Sequence, residues 1–329
     1  PKGVVGIISP WNYPLSLAVG DAIAALMAGN GVVIKPDSQT PYTALRAVEL
    51  LEQAGLPKGL MRVVTGQGRV VGTAIIEGAD YVMFTGSSET GAKIAQQSAA
   101  RLVDFSAELG GKNAMVITDD IDIERAARLA TIACFANSGQ LCISIERIYV
   151  LQEVAARFMD AFAEATAALR LGAEVGYGPE MGPLASQDQL DKMREHVTDA
   201  VAKGAKLVCG GKSDSTLMPA TLIDHVTAQM RIYHEESFAP VKAIVRVRGT
   251  DAAVACANDN AFGLAAAVFV RDLARAWQVA GRIQSGICHV NGPTVHDEAQ
   301  MPFGGVKGSG IGRFGGTAGI AEFTDLRWI

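Results

Sequence analysis

Apolar and polar positions alternate regularly along the first third of the chain. Short β-branched runs are each followed by a polar or glycine-rich break and then by a segment with helical spacing. The runs are GVVGII from Gly3, GVVIKP from Gly31, MRVV from Met61 and YVMF from Tyr81. Because this alternation is typical of βαβ units, it predicts a doubly wound parallel sheet.

The pattern continues beyond residue 114 and indicates a second α/β domain. Its spacing predicts helices at 123–137, 155–169 and 188–203, and strands at 145–150, 242–247, 265–270 and 286–290. We place the border between the two domains near Gly110 and Gly111, and we find no internal repeat or low-complexity linker.

The composition favours a globular protein that binds neither nucleic acid nor a membrane. The 329 residues are 49% hydrophobic, and 34 acidic and 29 basic side chains give a net charge of -5. No basic stripe follows the chain, and its longest apolar runs, 3–8 and 261–270, are shorter than a membrane span. The N-terminus also lacks a signal-peptide pattern, so we expect a cytoplasmic protein.

The five cysteines show neither a CxxC motif nor a Cys/His cluster, which indicates reduced thiols and no metal site. Four of them are expected in the core: Cys134, Cys209, Cys256 and Cys288. The stretch SGQLCIS around Cys142 leaves two interpretations open, a packed core thiol and a nucleophile.

Two glycine-rich segments follow predicted strands, at the edge where parallel sheets bind ligands. The segment 66–72, GQGRVVG, is one residue too long for a dinucleotide fingerprint and lacks the acidic ribose partner. The segment 84–91, FTGSSETG, places backbone amides at a helix N-terminus, where a pyrophosphate can bind. An ordinary capping turn would have a similar sequence.

Glu108 is the candidate general base. It ends a predicted strand in the stretch AELGGKN, and a buried carboxylate there would have a raised pKa suited to proton abstraction. The alternative for a lone glutamate is a surface ion pair with a lysine, so the wider pattern has to decide.

Seven ordered motifs carry a resemblance to the aldehyde dehydrogenase superfamily, with 34 positions between Glu108 and Cys142. They are PWN from Pro10, VIKP from Val33, FTGS from Phe84, ELGGKN from Glu108, GQLC from Gly139, EESFAPV from Glu235 and PFGGVKGSGIGR from Pro302. The resemblance covers the whole chain and implies an α/β fold: a partial Rossmann-like parallel-sheet cofactor domain at 1–110, an α/β catalytic domain at 111–308, and a return segment with the start of an oligomerisation strand at 309–329.

The family's leading helices, first strands and exchanged hairpin have no counterpart in this sequence. We therefore expect a fragment of about two thirds of a subunit. The family forms homo-oligomers, and the truncation is expected to impair that assembly.

The resemblance assigns catalytic roles to three residues. The Cys142 thiolate adds to the aldehyde carbon, and the Asn12 amide with the Cys142 N–H stabilises the resulting alkoxide. After hydride transfer to NAD or NADP, Glu108 activates the water that hydrolyses the thioester. The resemblance also assigns residues to the cofactor: Lys35, Ser38, Gly66, Ser87, Leu109, Glu236 and Phe238.

The sequence departs from common family choices at two of these places. Many NAD-preferring relatives carry a glutamate where this chain has Ser38, so NADP stays open as a cofactor. Ala239 replaces the usual glycine in the EESFAPV segment, which could shift the nicotinamide clamp slightly but keeps Glu236.

The substrate indications are divided. Residues 287–303 are similar to salicylaldehyde, vanillin and benzaldehyde dehydrogenases, whereas KPDSQTP from Lys35 and CISIERIYV from Cys142 are as similar to succinate semialdehyde dehydrogenases. A semialdehyde needs a cation for its far carboxylate, but the position that carries arginine in many such enzymes is Gly20 here.

Gly20 leaves space for a flat ring, so we expect an aromatic, salicylaldehyde-like substrate. The expected substrate residues are Tyr13, Leu17, Gly20, Ile143, Phe303 and His296, the last as a partner for a ring hydroxyl. Three alternatives remain: succinate semialdehyde oxidation, a cofactor-free esterase or thioesterase activity, and a catalytically silent fragment.

Overall fold

The computed structural model describes residues 1–176 and 178–329 and divides into two compact α/β units. Unit 1 comprises residues 1–110 and 297–329, and unit 2 comprises residues 111–296. The first boundary lies between Gly110 and Gly111, where the sequence pattern placed it. The second lies between His296 and Asp297, earlier than the predicted border after residue 308.

Unit 1 is built on a six-stranded, mostly parallel sheet. Its first five strands are β1 (Val4–Ile8), β2 (Gly31–Lys35), β3 (Met61–Val63), β4 (Tyr81–Thr85) and β5 (Asp104–Glu108). They lie in the order β5, β4, β1, β2, β3. A return strand, Gly310–Ile311, pairs antiparallel with β5 and places Gly310 opposite Glu108. The predicted parallel α/β fold is confirmed.

The helices of unit 1 cover both faces of this sheet. They are α1 (Ser16–Met27), α2 (Pro41–Gln53), α3 (Thr73–Gly78), α4 (Ser88–Ala100) and a C-terminal helix, Gly316–Glu322. Val5 and Ile7 of β1 share one core with Phe314 and Phe323 from the end of the chain. This packing, together with the return strand, explains why the boundary lies before Asp297 and not after residue 308.

Unit 2 contains a seven-stranded sheet. Its strands are β6 (Asn113–Ile117), β7 (Ile145–Leu151), β8 (Lys206–Cys209), β9 (Thr221–Asp224), β10 (Val241–Val247), β11 (Ala265–Phe269) and β12 (Ile287–Val290). They lie in the order β12, β11, β6, β7, β10, β9, β8, and only the pair of β8 and β9 is antiparallel. The four strands predicted for this region agree with the observed bounds to within one residue.

Six helices accompany the sheet of unit 2. They are α5 (Ile123–Phe135), α6 (Ala155–Ala167), α7 (Gln187–Ala202), α8 (Arg231–His234), α9 (Gly249–Asn258) and α10 (Leu273–Ala280). Side-chain caps start α5 and α7, because Asp122 accepts from the Arg125 N–H and Ser186 from the Gln189 N–H. The helix α5 ends at Phe135, earlier than the predicted residue 137, since Asn137 and Ser138 adopt φ of 50° and 56°.

Within the part of the chain that the structure describes, no helix is both long and apolar enough to span a membrane. The same residues contain no group of three or more His, Cys, Asp or Glu side chains arranged to hold a metal ion.

Candidate active site

Cys142 lies on a short loop between α5 and β7, which we call the Cys142 loop (residues 139–144). The left-handed backbone at Asn137 and Ser138 turns the chain out of α5 and into this loop. The Ser138 Oγ donates to the Gly182 carbonyl at 2.7 Å. The Gln140 Oε1 accepts from the Ala185 N–H at 2.8 Å. The loop is therefore fixed at its start, and it leaves Cys142 half-buried.

Asn113 fixes the loop at Cys142 itself. Its Nδ2 donates to the carbonyl oxygens of Cys142 and Ser144, at 2.6 and 2.8 Å. Gly111 lies against the same carbonyl, because a Cβ at Gly111 would be 2.6 Å from the Cys142 oxygen. Asn113 belongs to the ELGGKN motif, but the sequence reasoning gave it no role.

A buried ion pair includes Glu146, which follows the Cys142 loop closely in sequence. The Lys112 Nζ is 2.7 Å from the Glu146 Oε2, and both side chains are at most 2% exposed. Glu146 also accepts from the Ser237 and Phe238 N–H groups, at 2.9 and 3.0 Å. Burial alone would raise the pKa of Glu146, but Lys112 and then Lys242 outweigh it and lower that pKa to about 2. Glu146 is thus ionised near neutral pH and links Lys112 to residues 237–238.

Hydrogen bonds and close contacts fix the segment 235–239, which is expected to hold the nicotinamide ribose. The Glu236 Oε1 accepts from the Gly111 N–H at 2.8 Å. Burial and the Glu146 charge raise the pKa of Glu236 to about 7. Phe238 adopts a φ of 50°, which few side chains tolerate without support from their surroundings. A Cβ on Gly139 would collide with the Ala239 carbonyl, so this segment packs directly on the Cys142 loop.

His196 of α7 supports the same segment and was not predicted from the sequence. Its Nδ1 is 2.9 Å from the Ser237 Oγ, and its Nε2 is 3.2 Å from the Glu235 Oε2. The ring is fully buried. Burial and the Lys112 charge lower its pKa, so a neutral imidazole bridges Glu235 and Ser237.

The other four cysteines lie in or against the core of unit 2. Cys134 is fully buried, and this burial raises its pKa to about 12. The remaining three are half-buried and pack against the core of unit 2: Cys209, Cys256 and Cys288.

Glu108 ends β5 in unit 1 with only 5% of its surface exposed. Neither carboxylate oxygen has a hydrogen-bond partner among the described residues, so the alternative of a surface ion pair is not found. Burial raises the pKa of Glu108 well above its ordinary value, the Asp21 charge adds to this rise, and Arg313 opposes it. Burial and Asp297 in turn raise the pKa of Asp21 to about 7.

The backbone around Glu108 is held by its neighbours in the sheet. The Gly86 N–H donates to the Glu108 carbonyl at 3.0 Å, and the Leu109 N–H donates to the Ser309 carbonyl at 2.9 Å. The Ser309 Oγ donates to the Gly110 carbonyl at 2.7 Å. The C-terminal PFGGVKGSGIGR motif thus has a structural role, because it fixes the backbone at Glu108.

The expected cofactor residues of unit 1 lie where parallel strands end. Lys35 ends β2, Gly66 follows β3 and Ser87 follows β4. The exposed Ser38 donates its hydroxyl to the Gly66 carbonyl at 3.1 Å. The Ser87 Oγ caps α4 by accepting from the Thr90 N–H at 3.3 Å. The N-terminus of the 13-residue helix α4 lies at this edge and suits an anionic pyrophosphate. Ser38 has a hydroxyl and no carboxylate, which suits the adenosine ribose of NAD and that of NADP.

The weaker glycine-rich segment, 66–72, contains a π-helical turn at Gly68–Gly72 that leads into α3. It follows β3, as the sequence pattern indicated. Gly66 itself has a φ of 147°, and a Cβ there would meet the Val71 side chain at 2.6 Å. Glycine is required at this position for a backbone reason, independently of any ligand.

The expected substrate residues are distributed over both units. In unit 1, Asn12 and Tyr13 precede α1, and Leu17 and Gly20 lie on it. Among the described residues, no heavy atom outside Gly20, its chain neighbours and the adjoining backbone of α1 lies within 4 Å of the position that a Cβ on Gly20 would take. The others are a half-buried Phe303 in unit 1 and, in unit 2, a half-buried Ile143 and an exposed His296 whose ring centroid is 6.4 Å from that of His289.

Comparisons with known proteins agree on one family. The model of the aldehyde dehydrogenase family matches residues 1–329. A putative succinate-semialdehyde dehydrogenase [NADP(+)] 2 of Mycobacterium ulcerans is 46% identical over 335 residues, which cover 100% of this chain and 65% of that protein. Vanillin dehydrogenase of Pseudomonas fluorescens is 42% identical over 334 residues, covering 100% of this chain and 69% of that enzyme.

A solved structure gives the same result for the fold. An aldehyde dehydrogenase of Mycobacterium tuberculosis complexed with NAD+ superposes with a TM-score of 0.95 at 34% identity, over 99% of this chain and 68% of that one. The chain thus spans about two thirds of the length of the relatives that it matches.

Proposed function

This chain belongs to the aldehyde dehydrogenase family, and from that membership we propose that the protein oxidises an aldehyde to a carboxylic acid with NAD or NADP as hydride acceptor. The observation that carries the proposal is the family match over residues 1–329, within which Cys142 is a half-buried thiol on a fixed loop. Its activity, substrate and assembly as a whole protein are proposed on this basis.

Cys142 acts as the nucleophile in this mechanism. Its thiolate forms a bond to the aldehyde carbon, and the carbonyl electron pair moves to oxygen to give an alkoxide. The Asn12 side-chain amide and the Cys142 N–H donate to this oxygen, and losing such a donor typically costs about 3 to 4 kcal/mol. Asn113 supports the step, because it fixes the Cys142 carbonyl and with it the direction of the loop.

Glu108 acts as the base in the second half of the reaction. It removes a proton from the water that attacks the thioester, and the Cys142 thiolate leaves as the acid forms. Its raised pKa supports this role, because a carboxylate that binds protons more tightly is the stronger base.

The cofactor residues in this proposal are those that the family resemblance assigns. Lys35, Ser38 and Gly66 bind the adenosine ribose side, Ser87 the pyrophosphate, and Leu109, Glu236 and Phe238 the nicotinamide side. When bound, NAD or NADP would accept the hydride that takes the Cys142 adduct from the aldehyde oxidation level to the thioester level. Ser38 carries no charge that would repel a 2′-phosphate, which supports use of NADP as well as NAD.

We further propose an aromatic aldehyde, such as salicylaldehyde, as the substrate. The stretch from Ser9 to Asn30 contains no lysine or arginine that could bind a second carboxylate. Among the described residues, a side chain at Gly20 would meet open space, which suits a flat ring. The identity with vanillin dehydrogenase supports the same substrate class.

Succinate semialdehyde is the second candidate, because the mycobacterial relatives with 46% identity carry that name. We test both with one set of assays that follow the absorbance of the reduced nicotinamide with salicylaldehyde, benzaldehyde and succinate semialdehyde, each with NAD and with NADP. Higher kcat/KM for the ring-containing aldehydes supports our proposal, and a preference for the semialdehyde contradicts it. Ester hydrolysis without any dehydrogenation would indicate the cofactor-free alternative, and inactivity a silent fragment.

Two variants test the site in the same assay. Cys142→Ala should abolish dehydrogenase and esterase activity, and unchanged turnover would contradict the mechanism.

Gly20→Trp should lower kcat/KM for salicylaldehyde far more than for a short aliphatic aldehyde, because overpacking costs about 1 to 3 kcal/mol. Equal effects on both substrates would show that the ring does not contact this part of α1.

A further inference from the structure

Lys242 is a fully buried lysine of β10 that the proposed mechanism does not use. Within residues 1–176 and 178–329 its ammonium forms no salt bridge, whereas the equally buried Lys112 has Glu146 at 2.7 Å. The Lys242 Nζ donates to the Ser144 Oγ at 3.1 Å. Burying an ammonium without a paired carboxylate is costly, so its presence calls for another source of stabilisation.

The ammonium of Lys242 contacts the Cys142 loop on both sides of the cysteine. Ser144, two residues after Cys142, accepts its hydrogen bond. Three residues before Cys142, a Cβ built on Gly139 would lie 3.1 Å from the Lys242 Nζ. The Ser144 Oγ is in turn anchored to α5, 3.1 Å from the Cys134 carbonyl. Lys242 therefore links β10, α5 and both ends of the loop that carries Cys142.

Positive charge exceeds negative charge in these surroundings. Lys112, Arg147 and Lys242 are all buried near Glu146, and the charges of Arg147 and Lys242 both act to lower the pKa of Lys112. Glu146 is held by Lys112 and by two backbone N–H groups. The other facing carboxyl, Glu236, has a pKa of about 7 and is therefore only partly ionised at neutral pH.

An anion that forms in the Cys142 loop would compensate this excess. Cys134, on which the Lys242 charge acts, cannot supply it, because burial raises its pKa to about 12. Cys142 is half-buried, and its loop is the one that Lys242 contacts at both ends. The thiolate of Cys142 is the anion that this loop can supply.

We propose that Lys242 is a positioning residue for Cys142, whose buried ammonium holds the Cys142 loop at Gly139 and Ser144 and favours the thiolate. This inference rests on the proposed role of Cys142 as the nucleophile. Lys242 contacts neither aldehyde nor cofactor in this account and acts through the loop.

The test is the pH dependence of Cys142 alkylation in the intact chain. Iodoacetamide reacts with the thiolate, so the rate at which the Cys142 peptide gains the label, followed by mass spectrometry, reports the thiolate fraction. Lys242→Met removes the charge and the hydrogen-bond donor, whereas Lys242→Gln removes the charge and keeps a donor on a shorter side chain. Both should move the midpoint of the profile upward by about one pH unit and slow alkylation near neutral pH about tenfold.

Lys206→Met is the matched control, because Lys206 is an exposed lysine of β8 in the same unit, and its profile should equal that of the unmodified chain. Cys134 reports folding in every variant, since it reacts only when the core opens. If Lys242→Met exposes Cys134, the Lys242→Gln profile decides.

The outcomes separate the two proposals. A folded Lys242→Gln protein with the original midpoint overturns the inference about Lys242 and leaves the nucleophile role of Cys142 standing. If Cys142 of the unmodified chain reacts no faster near neutral pH than the half-buried Cys209, the nucleophile role itself fails and the inference fails with it.

Discussion

Glu108 of unit 1 and Glu146 of unit 2 are both buried glutamates, with 5% and 1% of their surface exposed. Glu146 pairs with Lys112 and accepts two backbone hydrogen bonds, and its pKa falls to about 2. Neither oxygen of Glu108 has a partner among the described residues, and its pKa rises well above the ordinary value. The same side chain at nearly the same burial is therefore stabilised in opposite protonation states.

The difference teaches that burial alone does not determine what a carboxylate does. Burial raises the pKa at both positions, and only the partners at Glu146 reverse the direction. A fully bonded anion is suited to hold neighbouring segments in place. A buried carboxylate without partners can bind and release a proton, which is what a general base requires.

The largest expected effect is the loss of stability in Glu146→Gln. The substitution leaves Lys112 buried without its ion-pair partner, and breaking a buried pair costs about 3 to 5 kcal/mol. It also removes the negative charge that Lys242 acts on. Denaturant unfolding near neutral pH measures this change. The double variant with Lys112→Met should recover much of the lost stability. If Glu146→Gln alone is as stable as the unmodified chain, Glu146 is not an ionised partner of Lys112.

The pH dependence of Glu146 has a definite sign. A folded-state pKa below the ordinary 4.5 means that its stabilising contribution is present above that value and is lost as the pH falls towards about 2. The stability difference between the unmodified chain and Glu146→Gln should therefore shrink on acidification. A constant difference across this window would contradict the lowered pKa.

A smaller and opposite effect is expected for Glu108→Gln. A raised folded-state pKa stabilises the fold below the ordinary value of 4.5, and that contribution is lost as the pH rises towards the raised pKa. Relative to the unmodified chain, Glu108→Gln should be more stable at a pH of about 8 than at a pH of about 5. Unfolding curves at both pH values provide the check, and a relative loss at the higher pH would indicate an undetected cationic partner.

The smallest effect is expected for Asp21→Asn. The Asp21 charge is the second cause of the raised Glu108 pKa, after burial, so removing it should lower that pKa. The midpoint of the pH profile for thioester hydrolysis measures the shift. Glu77→Gln, an exposed site on α3, is the control and should leave the midpoint in place. An unmoved midpoint in Asp21→Asn would show that burial acts alone.

Most of the fold could be predicted because it depends on local patterns. The apolar runs at β1, β2 and β4 and the helical spacing at α5 to α7 are visible in the sequence itself. The second domain boundary could not be predicted in this way. It depends on the return strand and on Phe314 and Phe323, which join a core formed by residues some 230 or more positions earlier.

The candidate site could be predicted only as far as its motifs extend. Glu108 and Cys142 stand in recognisable motifs, but Lys112 and Glu146 are separated by 34 positions and Lys242 lies on another strand. Their pairing follows from the strand order in the sheet, which residue spacing does not reveal. One signal was available: Lys112 follows ELGG directly, and Glu146 and Lys242 are charged residues within apolar strand patterns.

The hydrolysis of acetylated Cys142 as a function of pH is the most direct test of the central claim that Glu108 is a buried base for chemistry at Cys142. The chain is acylated with p-nitrophenyl acetate, and loss of the acetyl group is followed in the unmodified protein and in Glu108→Gln. We predict a rate that rises with pH through a midpoint above the ordinary 4.5 of glutamate in the unmodified protein, and no such rise in Glu108→Gln. The same pH dependence in both proteins would contradict the account.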